Sequence, residues 1–159
     1  MAKKQYESNI CESGTWYHVP TFKVWLVQEG NVASAVRTIN SPEDVVSMFE
    51  NHFAGADREN FAIAFLNRKG KVLGVNTVSV GGLHSSIVHP REVYKPAVII
   101  GAASIILAHN HPSGDPTPSR EDIEITKHLI EAGRIMGIDI LDHIIIGDSY
   151  YSMKEKGMI

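Results

Sequence analysis

Apolar residues along this chain fall into short runs whose spacing switches between strand and helix periods. Residues 61–66 (FAIAFL) and 72–80 read as two strands, and Asn67-Arg68-Lys69-Gly70 between them is a turn. Together they predict an antiparallel hairpin that Gly81-Gly82 ends. Residues 22–27 (FKVWLV) are β-branched and aromatic, stop at Glu29-Gly30-Asn31, and predict an earlier strand. Ser41-Pro42-Glu43-Asp44 offers an N-cap, a proline at the first helical position and acids in the first turn. Val45, Val46, Phe49 and Phe53 continue that helix with an apolar face. His89-Pro90-Arg91-Glu92 opens a second helix running to about Gly101. Pro96 removes one of its hydrogen bonds and predicts a kink or a start at that point. Residues 104–108 (SIILA) are a short buried strand, and residues 119–136 are a helix with Ile125, Leu129, Ala132 and Met136 on one stripe. Residues 138–146 form a last buried strand, and Tyr150-Tyr151-Ser152 adds an edge piece.

Strands thus alternate with helices around one clear hairpin. That order predicts an α/β or α+β sandwich with a mixed sheet. A length of 159 residues fits one domain spanning residues 1–159, with residues 1–20 as an irregular lead-in. Hydrophobic residues make up 43% and charged residues 21%, as in ordinary globular proteins. The net charge is −3 and no block of five or six like charges occurs, so a strong nonspecific nucleic-acid footprint is not visible. Cys11 is the sole cysteine, which excludes an intramolecular disulfide and points to a reducing compartment. Its plain role is a free thiol. The first eight residues have charge but no apolar stretch behind them, unlike a signal peptide. The longest mostly apolar run, residues 97–108, is too short for a bilayer. The expectation is a cytoplasmic protein without a membrane partner, its oligomeric state open.

The chemistry concentrates in His109-Asn110-His111-Pro112-Ser113-Gly114 and the residues after it. At the end of a strand, residues i and i+2 point to one side, so both imidazoles reach one ion. Ser119 and Asp122 follow at the start of a helix. Ser-x-x-Asp is close to a capping box, which accounts for both residues without any further chemistry. Yet Asp122 lies three residues before Ile125, on the face that packs on the sheet, and an inward carboxylate needs a partner. A metal held by His109 and His111 would be that partner, leaving a fourth position open as catalytic zinc requires.

The spacing His109-x-His111, seven residues, Ser119, two residues, Asp122 resembles the JAMM (MPN-plus) metalloprotease signature. It is closer still to the JAMM-like domain of RadC family proteins, which share His-Asn-His-Pro-Ser-Gly, Pro-Ser-x-x-Asp and a downstream Leu-Asp-His, here Leu141-Asp142-His143. The resemblance covers roughly residues 40–159. It implies a three-layer αβα sandwich of the JAMM or cytidine-deaminase-like kind. It also implies Zn2+ on His109, His111 and Asp122, with Ser119 bonding a developing oxyanion. Glu59, just before the strand at residue 61, fits the pattern Glu-x-Phe and would be the general base. Glu92 competes for that role, although an acid in a first helical turn is already favoured by the helix dipole. Asp142 and His143 read equally as a buried polar pair or as residues that orient a ligand or touch substrate. The function so implied is zinc-dependent hydrolysis of amide bonds, in a peptide or an isopeptide, with a protein or peptide as substrate. Longer RadC proteins carry an N-terminal helix-hairpin-helix region, for which this sequence offers no counterpart. A DNA-repair-associated nucleic-acid-binding role and a zinc-stabilised interaction module without turnover are the alternatives.

Overall fold

A computed structural model describes residues 19–81 and 88–159. Cys11 and most of the expected lead-in lie outside them. The elements run in the order α1 (Pro42–Phe53), β1 (Asn60–Leu66), β2 (Val72–Val80), α2 (Pro90–Ile100), β3 (Ser104–Asn110), α3 (Arg120–Met136), β4 (Asp139–Ile146) and β5 (Tyr150–Ser152). One five-stranded sheet has the order β2-β1-β3-β4-β5. β3 and β4 are parallel, joined through α3, and the other pairs are antiparallel.

Strand alternation divides the core in two. Phe61, Ile63 and Phe65 of β1, with Ile105 and Leu107 of β3, face α2 and α3. Ala62, Ala64 and Leu66, with Ile106, Ala108, Ile144 and Ile146, face α1. The layers are therefore α1, sheet, and α2 with α3, as the three-layer expectation required. Strands buried on both faces explain why β1 and β3 read as apolar runs rather than alternating ones.

Three register shifts adjust the sheet. The pairing skips Val78 and Leu73 between β1 and β2, and skips Leu141 between β3 and β4. The last one has a consequence for the site. Ile138 and Ile140 point toward α3, while Leu141 packs on the α1 side. After the bulge the alternation restarts, so Asp142, Ile144 and Ile146 take the α1 face and His143 takes the α3 face.

The expected strand at residues 22–27 is not formed. This segment is irregular and exposed, with Phe22 at 86% and Trp25 at 71%. The reason is the lack of a partner backbone. At its start, the outer edge of β2 is taken by residues 37–39, through Val72 N–H to the Arg37 carbonyl and Ile39 N–H to the Gly70 carbonyl, both 3.0 Å. β-propensity without a neighbouring strand makes no strand. α2 begins at Pro90 and passes through Pro96, which corrects the alternative start there. The stripe of α3 also turns more than expected: Gly133 is buried and Met136 is exposed.

Candidate metal centre

The sheet delivers both histidines to the same side. His109 continues the α3-facing row of Ile105 and Leu107 and is fully buried. His111 has left the strand, but its N–H still bonds the Ile146 carbonyl at 2.8 Å, so β4 holds it in line. The chain then turns through Gly114, whose φ of +87° is left-handed and costs a glycine little. That turn packs so closely on Gly147 that a Cβ there would meet the Gly114 carbonyl oxygen at 2.1 Å. The turn leads back to the start of α3. Ser119 caps it: its Oγ accepts from the Asp122 N–H at 3.1 Å, and Asp122 Oδ2 accepts the Ser119 N–H at 2.7 Å. The capping box therefore exists, and it is also what aims Asp122 inward.

Three donor groups converge. His109 Nε2 and His111 Nε2 are 3.0 Å apart. Asp122 Oδ1 is 3.3 Å from the first and Oδ2 is 3.6 Å from the second. Ligands held at about 2.0–2.1 Å around a tetrahedral ion stand roughly 3.3–3.4 Å from one another, so these separations suit zinc. His111 Nδ1 lies 2.7 Å from the Asp115 carbonyl, which can only accept, so that nitrogen carries a proton and Nε2 of the neutral ring is bare. Burial alone would raise the Asp122 carboxyl. The His109 and His111 imidazoles beside it outweigh that and hold the group far below the ordinary carboxylate range. Burial lowers His109, whereas the neighbouring Asp122 carboxylate raises His111. An ionised carboxylate, 1% exposed, thus sits between two imidazoles, and a cation satisfies that arrangement.

Glu59 is half-buried immediately before β1. β1 pairs with β3 through Phe61 opposite His109. The same register, extended by two residues, sets Glu59 opposite His111 on the site face. Its charge accordingly works in a small way against the burial that lowers His109, and adds to the effect of Asp122 on His111. Asn110 points the other way. Its Oδ1 accepts from the Asn60 N–H at 2.7 Å and its Nδ2 donates to the Arg58 carbonyl at 3.1 Å, so it clips the chain on both sides of Glu59. Glu92 is exposed and paired with Arg91 at 3.3 Å.

Asp142 and His143 part company across the sheet. Asp142 accepts from Ser152 Oγ, the His143 N–H and the Lys154 N–H, and so ties down the C-terminal turn. His143 is fully buried at the site, with Nε2 2.8 Å from His109 Nδ1 and Nδ1 2.6 Å from Thr126 Oγ1. Burial and the neighbouring His109 keep His143 well below the usual imidazole range, hence neutral. Sequence reasoning missed Thr126 and Asn110. The signal for Thr126 was its position four residues after Asp122, on the same helix face.

Residues 39–158 match the RadC-like JAB domain family. A UPF0758 protein of Syntrophomonas wolfei is 60% identical over 131 residues, covering 77% of this chain and 54% of that protein. UPF0758 proteins of Caldanaerobacter subterraneus and Rubrobacter xylanophilus are each 54% identical over 121 residues, covering 76% of this chain and 52% and 53% of those proteins. The chain spans about half the length of these curated relatives.

Proposed function

The chain belongs to the RadC-like JAB domain family, and we propose that it is a zinc-dependent hydrolase of amide bonds in a peptide or isopeptide. The observation that carries this reading is the convergence of His109, His111 and Asp122, whose ligand atoms all lie within 4.8 Å of one another. Bound there, zinc would act as a Lewis acid and lower the pKa of a water from about 16 to about 7. The chain's own groups do the rest. Glu59, set opposite His111, takes the proton from the attacking water and returns it to the leaving amine. Ser119 now gives its hydroxyl proton to Asp122 Oδ2 at 2.7 Å. By rotating about its side chain, the same hydroxyl can donate to an oxyanion as charge develops. The substrate class this reading takes is a protein or peptide; among the described residues no helix is long and apolar enough to cross a membrane.

The experiment is elemental analysis combined with cleavage of peptide and isopeptide libraries. About one zinc per chain is expected, with His109→Ala, His111→Ala and Asp122→Ala each losing it, because three ligands leave no spare. Glu59→Gln keeps zinc and loses roughly 10²–10⁴-fold in turnover. Full zinc in the double histidine variant refutes the site. Zinc binding with no cleavage in any library favours a metal-stabilised interaction module.

A further inference from the structure

We propose that His143 and Thr126 are positioning residues that fix the tautomer of His109, with its proton on Nδ1 and Nε2 bare toward the metal position. The argument is a count of protons along a buried chain. It begins at the Asp122 carbonyl, which can only accept. Thr126 Oγ1 lies 2.6 Å from that oxygen, so the single hydroxyl proton of Thr126 is spent there. The other neighbour of Thr126 Oγ1 is His143 Nδ1, also at 2.6 Å. With no second proton on the hydroxyl, His143 Nδ1 must be the donor. His143 is fully buried and its ring bonds Thr126 and His109 with no carboxylate partner, so the ring is neutral and Nε2 is bare. That nitrogen is 2.8 Å from His109 Nδ1, which must therefore donate to it. His109 Nε2 is left without a proton, as His111 Nε2 is by its own bond to the Asp115 carbonyl, so these two nitrogens, 3.0 Å apart, and Asp122 Oδ1 face one another as acceptors that a cation between them satisfies.

The chain matters because the local preference runs the other way. An ionised Asp122 Oδ1 at 3.3 Å from His109 Nε2 rewards a proton on Nε2, which would block ligation. Only a well-placed acceptor at Nδ1 opposes it. His143 is held for that purpose: it is fully buried, and Phe61 meets it edge-on with ring centroids 5.5 Å apart while stacking on His109 at 6.2 Å. Metal-bound histidines commonly give their second nitrogen's proton to a carboxylate or a carbonyl. Here a neutral imidazole takes it, so the orienting group adds no negative charge to a site that already holds Asp122. Thr126 stands at 2% exposure, so water does not substitute for it. Asp122 thus supplies both a ligand oxygen and, through its carbonyl, the fixed end of the chain that prepares the neighbouring ligand.

The test uses the whole chain with two readouts. Long-range ¹H–¹⁵N correlation spectra of the metal-free protein report which imidazole nitrogens carry protons. Competition with a chromophoric chelator reports zinc affinity. The metal-affinity arm rests on the zinc reading above, and the spectra do not. The unsubstituted protein should show His109 protonated on Nδ1. His143→Phe and Thr126→Val should move that proton toward Nε2 and weaken zinc about 10–100-fold. Thr126→Ser, which keeps the hydroxyl, should behave as the parent. If His143→Phe does not fold, the near-isosteric Thr126→Val carries the test. A proton on His109 Nε2 in the unsubstituted protein overturns the proposal. So does Thr126→Val with an unchanged tautomer and unchanged affinity. Failure of the parent to bind zinc removes the metal reading, and the nitrogen pattern then still decides the tautomer.

Discussion

Asn110→Ala separates the placement of the base from the binding of the metal. The side chain makes two hydrogen bonds to the backbone around Glu59, one accepting and one donating, and it lies on the sheet face opposite the histidines. Each bond is worth about 1 kcal/mol net, so their loss should cost roughly 2 kcal/mol of stability. In a domain of this size that lowers Tm by about 4–8 °C. His109 and His111 keep their own strand contacts, so zinc affinity should stay within about twofold of the parent. Glu59 loses the clip that fixes residues 58 and 60, and a misplacement of about 1 Å should cost turnover on the order of 10²-fold. The decisive assay is a double-mutant cycle with Glu59→Gln. If Asn110 acts on catalysis only through Glu59, removing it from the Glu59→Gln protein costs turnover nothing further. An additive loss in the double variant refutes the positioning argument. So does a fall in zinc affinity as large as that of His111→Ala.

Ser119→Ala should cost about 1 kcal/mol through loss of the helix cap, seen in denaturant unfolding, and keep zinc. If its hydroxyl also serves an oxyanion, turnover falls by 10²-fold or more, and unchanged turnover would leave only the cap. The metal-free protein should lose stability below about pH 6.5. His109 and His143 are held below the ordinary imidazole range by burial, so the unfolded chain binds more protons there than the folded one. Their contribution is complete above the unfolded value and lost as pH falls through the folded ones, up to about 1.4 kcal/mol per pH unit for each ring. His111 is raised, so below pH 6.5 it is protonated in both states and adds no slope. Equal stabilities at about pH 6 and about pH 5, below the His111 window, from urea titrations, would refute this assignment.

Local signals carried most of the fold. Ser41 with Pro42, the Asn67–Gly70 turn and Ser119 act at short range, and each fixed an element boundary to within a residue or so. The strand at residues 22–27 failed because pairing is not local: the same residues would be a strand if a free edge lay beside them. The candidate metal ligands were legible for the opposite reason. An i, i+2 pair at a strand end and a capped carboxylate are both short-range geometries. Thr126 was not, and His143 read only as one of two alternatives, because their meeting depends on α3 crossing back to lay β4 parallel to β3. Asn110 was hidden by its own motif, since it sits between His109 and His111 and works on the other face.

The bulge at Leu141 shows how narrowly this arrangement is specified. Along β4 the apolar pattern alone would let alternation continue from Ile138 and Ile140, which puts Asp142 on the α3 face and His143 among the α1 contacts. That register would bring a second carboxylate beside Asp122 and strand an imidazole in an apolar core. One extra residue reverses both placements. It gives Asp142 the Ser152 hydroxyl and two backbone N–H groups, and it gives His143 a donor and an acceptor in His109 and Thr126. The bulge is therefore selected by polar satisfaction on both faces at once rather than by hydrophobic burial, which either register would meet nearly as well. A site built this way has its second row of contacts set by strand register, and its first row by the two short motifs that register brings together.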